Sequence, residues 1–212
     1  MFGWVRKVLA ANALMVAATG GLVAGSSGEA IAGSQDPLGA AAADALLHIA
    51  AHETRPSTGT RPVPSESVER SGALVTVGDL VAARTGTDAA ELLRAWSSAG
   101  RTRVKVVLAA LSHVGDGYEF GAAGPDAFDC SGLSKYAWAS VGVDLPHQSR
   151  RQIDAVASRP SGEVLAGDLV WRPGHVMVAL GLADLVVNAV EPGVPVTVKR
   201  WGSIEQIGNP LP

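Results

Sequence analysis

A single thiol, Cys130, stands in a chain of 212 residues that also carries five histidines. A thiol attacks a carbonyl only as thiolate, and both a helix N-terminus and an adjacent imidazolium stabilise that anion. Leu133, Tyr136, Ala137 and Val141 recur at helical spacing after Ser131, and Gly142 ends the run, so Cys130 is expected at the helix N-terminus. The general base has to be brought in by folding. His48 and His52 precede a proline-rich stretch, His113 falls in a helical segment, and His147 follows Leu145-Pro146 in a loop. His175 opens an apolar strand after Pro173-Gly174, where a fixed imidazole would sit, although a plain strand-edge residue gives the same pattern. An imidazole needs a third group to hold its ring. Asn188, set among Val186, Val187, Ala189 and Val190, is a polar residue in an apolar strand. An unpaired buried amide costs about 1–3 kcal/mol, so Asn188 wants a partner such as His175. Thiol, imidazole and amide together point to nucleophilic acyl transfer.

Other chemistries find less support. His48 and His52 share a helix face, but the zinc-peptidase pattern needs Glu directly after the first histidine, where Ile49 stands. With no third ligand evident, no metal and no other cofactor is expected. The net charge is −3 and there is no basic block, so nucleic-acid binding has no electrostatic support. One cysteine excludes an intramolecular disulfide.

The elements that must position these groups follow from the hydrophobic period. Arg6 and Lys7, the apolar run from Val8 and the small residues Ala30-Ile31-Ala32 read as a secretory signal over 1–32, with an uncleaved anchor as the alternative. An Ala-rich helical segment is expected over 33–53, starting at Asp36-Pro37, and a Pro/Ser/Thr-rich linker over 54–67. A helical lead-in covers 68–100, where Asp88 and Glu91 make a capping box. The remaining 101–212 is expected to form the catalytic domain, with a helix over 103–113 and then the Cys130 helix. Strands follow over 168–172, 175–181, 185–189 and 194–201. Helices first and an antiparallel meander afterwards is an α+β order.

Six pieces in chain order resemble the NlpC family of papain-like cysteine peptidases of the bacterial cell wall. They are Tyr118 to Gly121, Phe128 to Leu133 (FDCSGL), Leu145-Pro146 with Ser149 and Gln152, Gly167 to Val170, Gly174 to Val176, and Val187 to Ala189. Ala122-Ala123 is plainer than the family's Gly-rich form, and the DLVWRPGH segment is short. The resemblance implies a papain-like α+β fold whose nucleophile helix packs on an antiparallel sheet. It implies Cys130 as nucleophile, His175 as base, Asn188 as orienting residue, Tyr118 as oxyanion donor, and Asp129 and Ser131 as substrate-positioning residues. The implied protein is a secreted endopeptidase acting on peptidoglycan stem peptides, at the bond after γ-linked D-glutamate. Membrane contact would come only through the N-terminal segment. An idle wall-binding module, or an amidase or acyltransferase on the same dyad, are the alternatives.

Overall fold

The computed structural model describes residues 36–53, 64–160, 162–182, 184–202 and 204–211. The expected signal segment 1–32 lies outside them, as does 54–63 of the expected linker. Helix α1 (Pro37–Glu53) begins where Asp36 accepts the Leu38 N–H at 2.9 Å, as a proline at the first helical position allows. Its buried Leu38, Ala42, Ala45 and Ile49 recur every three or four residues and join the main core. Helix α2 runs over Pro64–Thr85. Residues 64–67 are therefore helical where the linker was expected: Pro64 pre-sets the dihedral of a first helical turn, and composition alone hides that. Helix α3 (Ala89–Ala99) is capped by Asp88, which accepts the Glu91 N–H at 2.9 Å. Helix α4 (Arg101–Leu111) follows at once, near the expected 103–113, and buries Val104, Val107, Leu108 and Leu111 among others.

Gly117–Tyr118 (β1) and Ala127–Phe128 (β2) then form a short parallel pair. Helix α5 (Cys130–Ala139) comes next, then α6 (Ser149–Asp154). The sheet is built from β3 (Ala157–Arg159), β4 (Leu169–Arg172), β5 (His175–Ala179), β6 (Leu185–Asn188), β7 (Thr197–Arg200) and β8 (Gln206–Asn209). Its order is β3-β8-β4-β5-β6-β7 and every pairing is antiparallel. The meander β4 to β7 is as expected; β3, β8 and α6 carry too little apolar pattern to be read beforehand.

Alternation along the strands divides the sheet faces. Trp171, Val176, Val178, Val187 and Val198 join the core that includes Leu133 and Trp138 of α5, while Val170, Met177, Ala179 and Val186 form a second, smaller cluster. Two indoles pin helices to the sheet. Trp138 donates to the Gly167 carbonyl at 3.0 Å, and Trp96 to that of Leu180 at 2.8 Å. Beneath them Arg103, 4% exposed, pairs with the fully buried Asp168 at 2.7 Å, and Asp168 also meets Arg159 at 2.7 Å. The Gly-Asp-Leu motif thus holds a buried charge network under the sheet, and its carboxylate also accepts the Leu165 N–H at 2.9 Å. Among the described residues no helix is long and apolar enough to cross a membrane.

Candidate active site

The site begins with the turn into α5. Asp129 is the N-cap, and its Oδ1 accepts from the Gly132 N–H at 2.7 Å and the Ser131 hydroxyl at 3.0 Å. Oδ2 accepts the Gly121 N–H at 2.9 Å, and His147 Nε2 lies 3.1 Å from both oxygens. Burial alone would push this carboxyl up, but the Gly132, His147, Ser131 and Gly121 hydrogen bonds outweigh it and hold Asp129 below the ordinary carboxylate range. The carboxylate thus fastens the loop 118–124 to the nucleophile helix, and the Asp129 N–H to Ala122 carbonyl bond, 2.8 Å, adds a second tie. Gly132 is required by that approach: a Cβ there would stand 2.0 Å from the Ala122 carbonyl oxygen.

On the other side of α5, Gln152 is fully buried and donates to the carbonyls of Ser131 and Pro146 at 2.8 Å each. It accepts from the Ser134 hydroxyl at 2.6 Å. These bonds clamp the segment after the helix against its first turn.

Cys130, half-buried, is the first residue of α5. Burial pushes its thiol up; the N–H groups of Val176, Ser131 and Cys130 itself pull the other way, and the Asp129 carboxylate adds to the rise. The backbone N–H groups of the helix start and of Val176, the residue next to His175, thus favour the thiolate that burial disfavours. Tyr118 is held beside them by the β1–β2 pairing, Tyr118 against Phe128. Its phenol is pushed up by burial first and then by Cys130 and Asp129, so it keeps its proton and remains a donor.

His175 is placed by a hairpin. Arg172 and His175 pair across β4 and β5, and the turn between them is Pro173-Gly174 with Gly174 at φ +79°. Proline followed by a positive-φ glycine is the type II signature, legible in the sequence. The His175 ring is pushed down to about 4, by burial first and then by Arg172 and Lys199. Its Nε2 is buried without a hydrogen-bond partner among the described residues, and so are both side-chain atoms of Asn188. Val178 pairs with Val187, so one residue outward Asn188 falls opposite Met177, on the face that carries His175. Histidine and amide are diagonal neighbours there, each with unspent hydrogen-bonding capacity.

The six expected residues fall in two groups. Cys130, Asp129, Ser131 and Tyr118 surround the start of α5, and His175 with Asn188 stands on the sheet face of the second, smaller cluster, with no hydrogen bond to Cys130 among the described residues. Sequence reasoning left out Trp201, whose ring stacks on His175 at 5.5 Å between centroids, tilted by 28°. It also left out His147 as the partner of Asp129. A tryptophan closing a strand and a histidine after Leu-Pro carry no signal of their own.

Residues 115–200 match the family model described as the NlpC/P60 family. A probable endopeptidase of Mycobacterium tuberculosis is 38% identical over 105 residues, which is 47% of this chain and 26% of that protein. The probable endopeptidase p60 of Listeria monocytogenes is 33% identical over 94 residues, 42% of this chain and 19% of that protein. The chain thus spans about a fifth to a quarter of the length of these curated relatives. The crystal structure of the NlpC/p60 domain of the peptidoglycan hydrolase SagA is 30% identical and covers 50% of this chain and 97% of that one, with a TM-score of 0.47. The segment 115–200, which holds Cys130, His175 and Asn188, is thus the part of the chain that matches the NlpC/P60 family.

Proposed function

We propose that this chain is an exported cysteine endopeptidase of the bacterial cell wall, cutting peptidoglycan stem peptides between D-glutamate and the diamino acid. The observation that carries the chemistry is Cys130 as the first residue of a helix capped by Asp129, where the backbone N–H groups of the first turn favour its thiolate.

In this mechanism His175 takes the Cys130 proton as the sulfur bonds to the scissile carbonyl carbon. The resulting oxyanion accepts hydrogen bonds from the Tyr118 hydroxyl and the Cys130 N–H. Collapse breaks the C–N bond, and the imidazolium gives its proton to the leaving amine. Water then adds to the thioester with His175 as base, and the carboxylate product leaves as the thiol is restored. Asn188 accepts from the ring N–H opposite the thiol and fixes the tautomer. Asp129 and Ser131 position the stem peptide, Asp129 through the loop it fastens and the His147 it holds. Support for the wall substrate comes from the relatives, which bear the name endopeptidase, and from the SagA domain, whose parent is titled a peptidoglycan hydrolase. Export rests on the charged start, apolar run and Ala30-Ile31-Ala32 of the sequence.

The test is digestion of purified muropeptides followed by mass spectrometry. Fragments ending in D-glutamate, absent with Cys130→Ala, are expected. Release of casein fragments with intact muropeptides would overturn the wall assignment, and products cut at the sugar–peptide amide would make the enzyme an amidase.

A further inference from the structure

Two cations stand on the same sheet face as His175. Arg172 is its cross-strand partner, and Lys199 pairs with Val186, two residues before Asn188 on the same strand face. Both lean on the indole that stacks on the imidazole: Lys199 Nζ lies 4.3 Å and Arg172 Cζ 5.5 Å from the Trp201 ring centroid. Several other described cations have acidic partners, while the exposed Arg94, Arg101 and Arg151 have none among the described residues. Arg200 meets Asp184 at 2.6 Å, Arg150 meets Asp154 at 2.8 Å, and Arg84 and Lys135 pair with Asp36 and Asp144. Arg172 and Lys199 have no carboxylate partner among the described residues. Two uncompensated positive charges beside a general base oppose its protonation, and a ligand carboxylate would relieve that.

We infer that Arg172 and Lys199 bind a carboxylate that the substrate carries beside the scissile bond, so that the acid form of the stem peptide is selected over its amide. The inference rests on the peptidase reading above and adds the group that sets its selectivity. Guanidinium and ammonium both suit a carboxylate, and the planar fork of arginine can take it through two hydrogen bonds. A γ-linked D-glutamate leaves its α-carboxylate free next to the bond that is cut. A tripeptide stem presents a second carboxylate at its C-terminus. Either supplies the same chemistry, and the substrates below separate them. Binding of the anion also offsets the field of the two cations at His175, so the imidazole becomes a stronger base once substrate is in place.

The test measures kcat/KM on three matched stem tripeptides, carrying D-isoglutamate, D-isoglutamine or a C-terminal amide, with the wild-type chain and an Arg172→Gln, Lys199→Gln double variant. The wild type should prefer the all-acid peptide about tenfold over one of the two amides, the usual order for a charge-assisted hydrogen bond at a partly exposed site. The double variant should cleave acid and amide alike. Equal rates on all three by the wild type, or a preference that survives in the double variant, overturns the inference. Calorimetric binding of the same peptides to Cys130→Ala removes dependence on turnover. An acid preference there, with no cleavage by the wild type, would sink the peptidase reading and leave the carboxylate site standing; no preference would sink the site.

Discussion

Removing the Asp129 carboxylate should cost stability and yet ease ionisation of the neighbouring thiol. Asp129→Ala deletes the N-cap bond to Gly132, worth about 1 kcal/mol. It strands the Gly121 N–H and the Ser131 hydroxyl, at about 1 kcal/mol for the first and somewhat less for the second. The contact with His147, whose side chain is 30% exposed, adds at most about 0.5 kcal/mol. The losses come to about 3 kcal/mol, which lowers Tm by about 6–12 °C for a chain of this length. Asp129→Asn keeps one capping oxygen and should cost about 1 kcal/mol. Because the carboxylate contributes to the raised thiol of Cys130, the Asn variant should also alkylate faster with iodoacetamide at a fixed pH near neutrality. Urea unfolding and timed alkylation read the two effects separately. An Ala variant within about 1 kcal/mol of wild type would show that the carboxylate does not fasten the loop, and slower alkylation in Asp129→Asn would reverse the electrostatic argument.

Gly132→Ala should destabilise by about 2 kcal/mol or more and slow turnover, since its Cβ would stand 2.0 Å from the Ala122 carbonyl oxygen; a neutral result in thermal melts would contradict the close approach. Asp168→Ala leaves Arg103 buried and unpaired and should cost about 3–5 kcal/mol, measured by urea unfolding. His175 is neutral when folded down to about 4, whereas an unfolded histidine takes its proton near 6.5. Between those values the unfolded chain binds more protons, so stability should fall as pH drops from about 6.5 towards about 4, and His175→Gln should flatten that slope. The Asp129 carboxyl adds a loss at lower pH: held below its ordinary value, it contributes stability above about 3.9 that disappears as pH falls through its folded pKa. Asn188→Ala should reduce turnover less than His175→Ala, since it deprives the ring of a partner without removing the base; an unchanged rate would move the orienting role elsewhere.

Much of the site could be read from the chain because its logic is local. Asp129 as N-cap, Cys130 as first helical residue, and Pro173-Gly174 turning the chain into His175 are decided within a few residues. What stayed hidden depends on register. Trp201 reaches His175, and Arg172 and Lys199 share its face, only because β4 to β7 pair as they do, and no period in the sequence fixes how one strand lies against the next. The helix from Pro64 was missed for a different reason: three prolines and several small polar residues outweighed the apolar spacing that begins only further along.

Everything proposed here turns on Cys130 and His175 acting as one unit, and the pH profile of thiol alkylation tests that most directly. Burial raises the thiol and lowers the imidazole when each is taken singly, so neither is charged at neutral pH without the other. Proton transfer between them creates anion and cation together, and their attraction makes the pair the titrating group. Iodoacetamide should therefore modify wild-type Cys130 at lower pH than in His175→Ala, where the midpoint should rise above the free-thiol value of about 8.5. Superimposable profiles for the two proteins would mean that the imidazole does not reach the sulfur, and the account would fail.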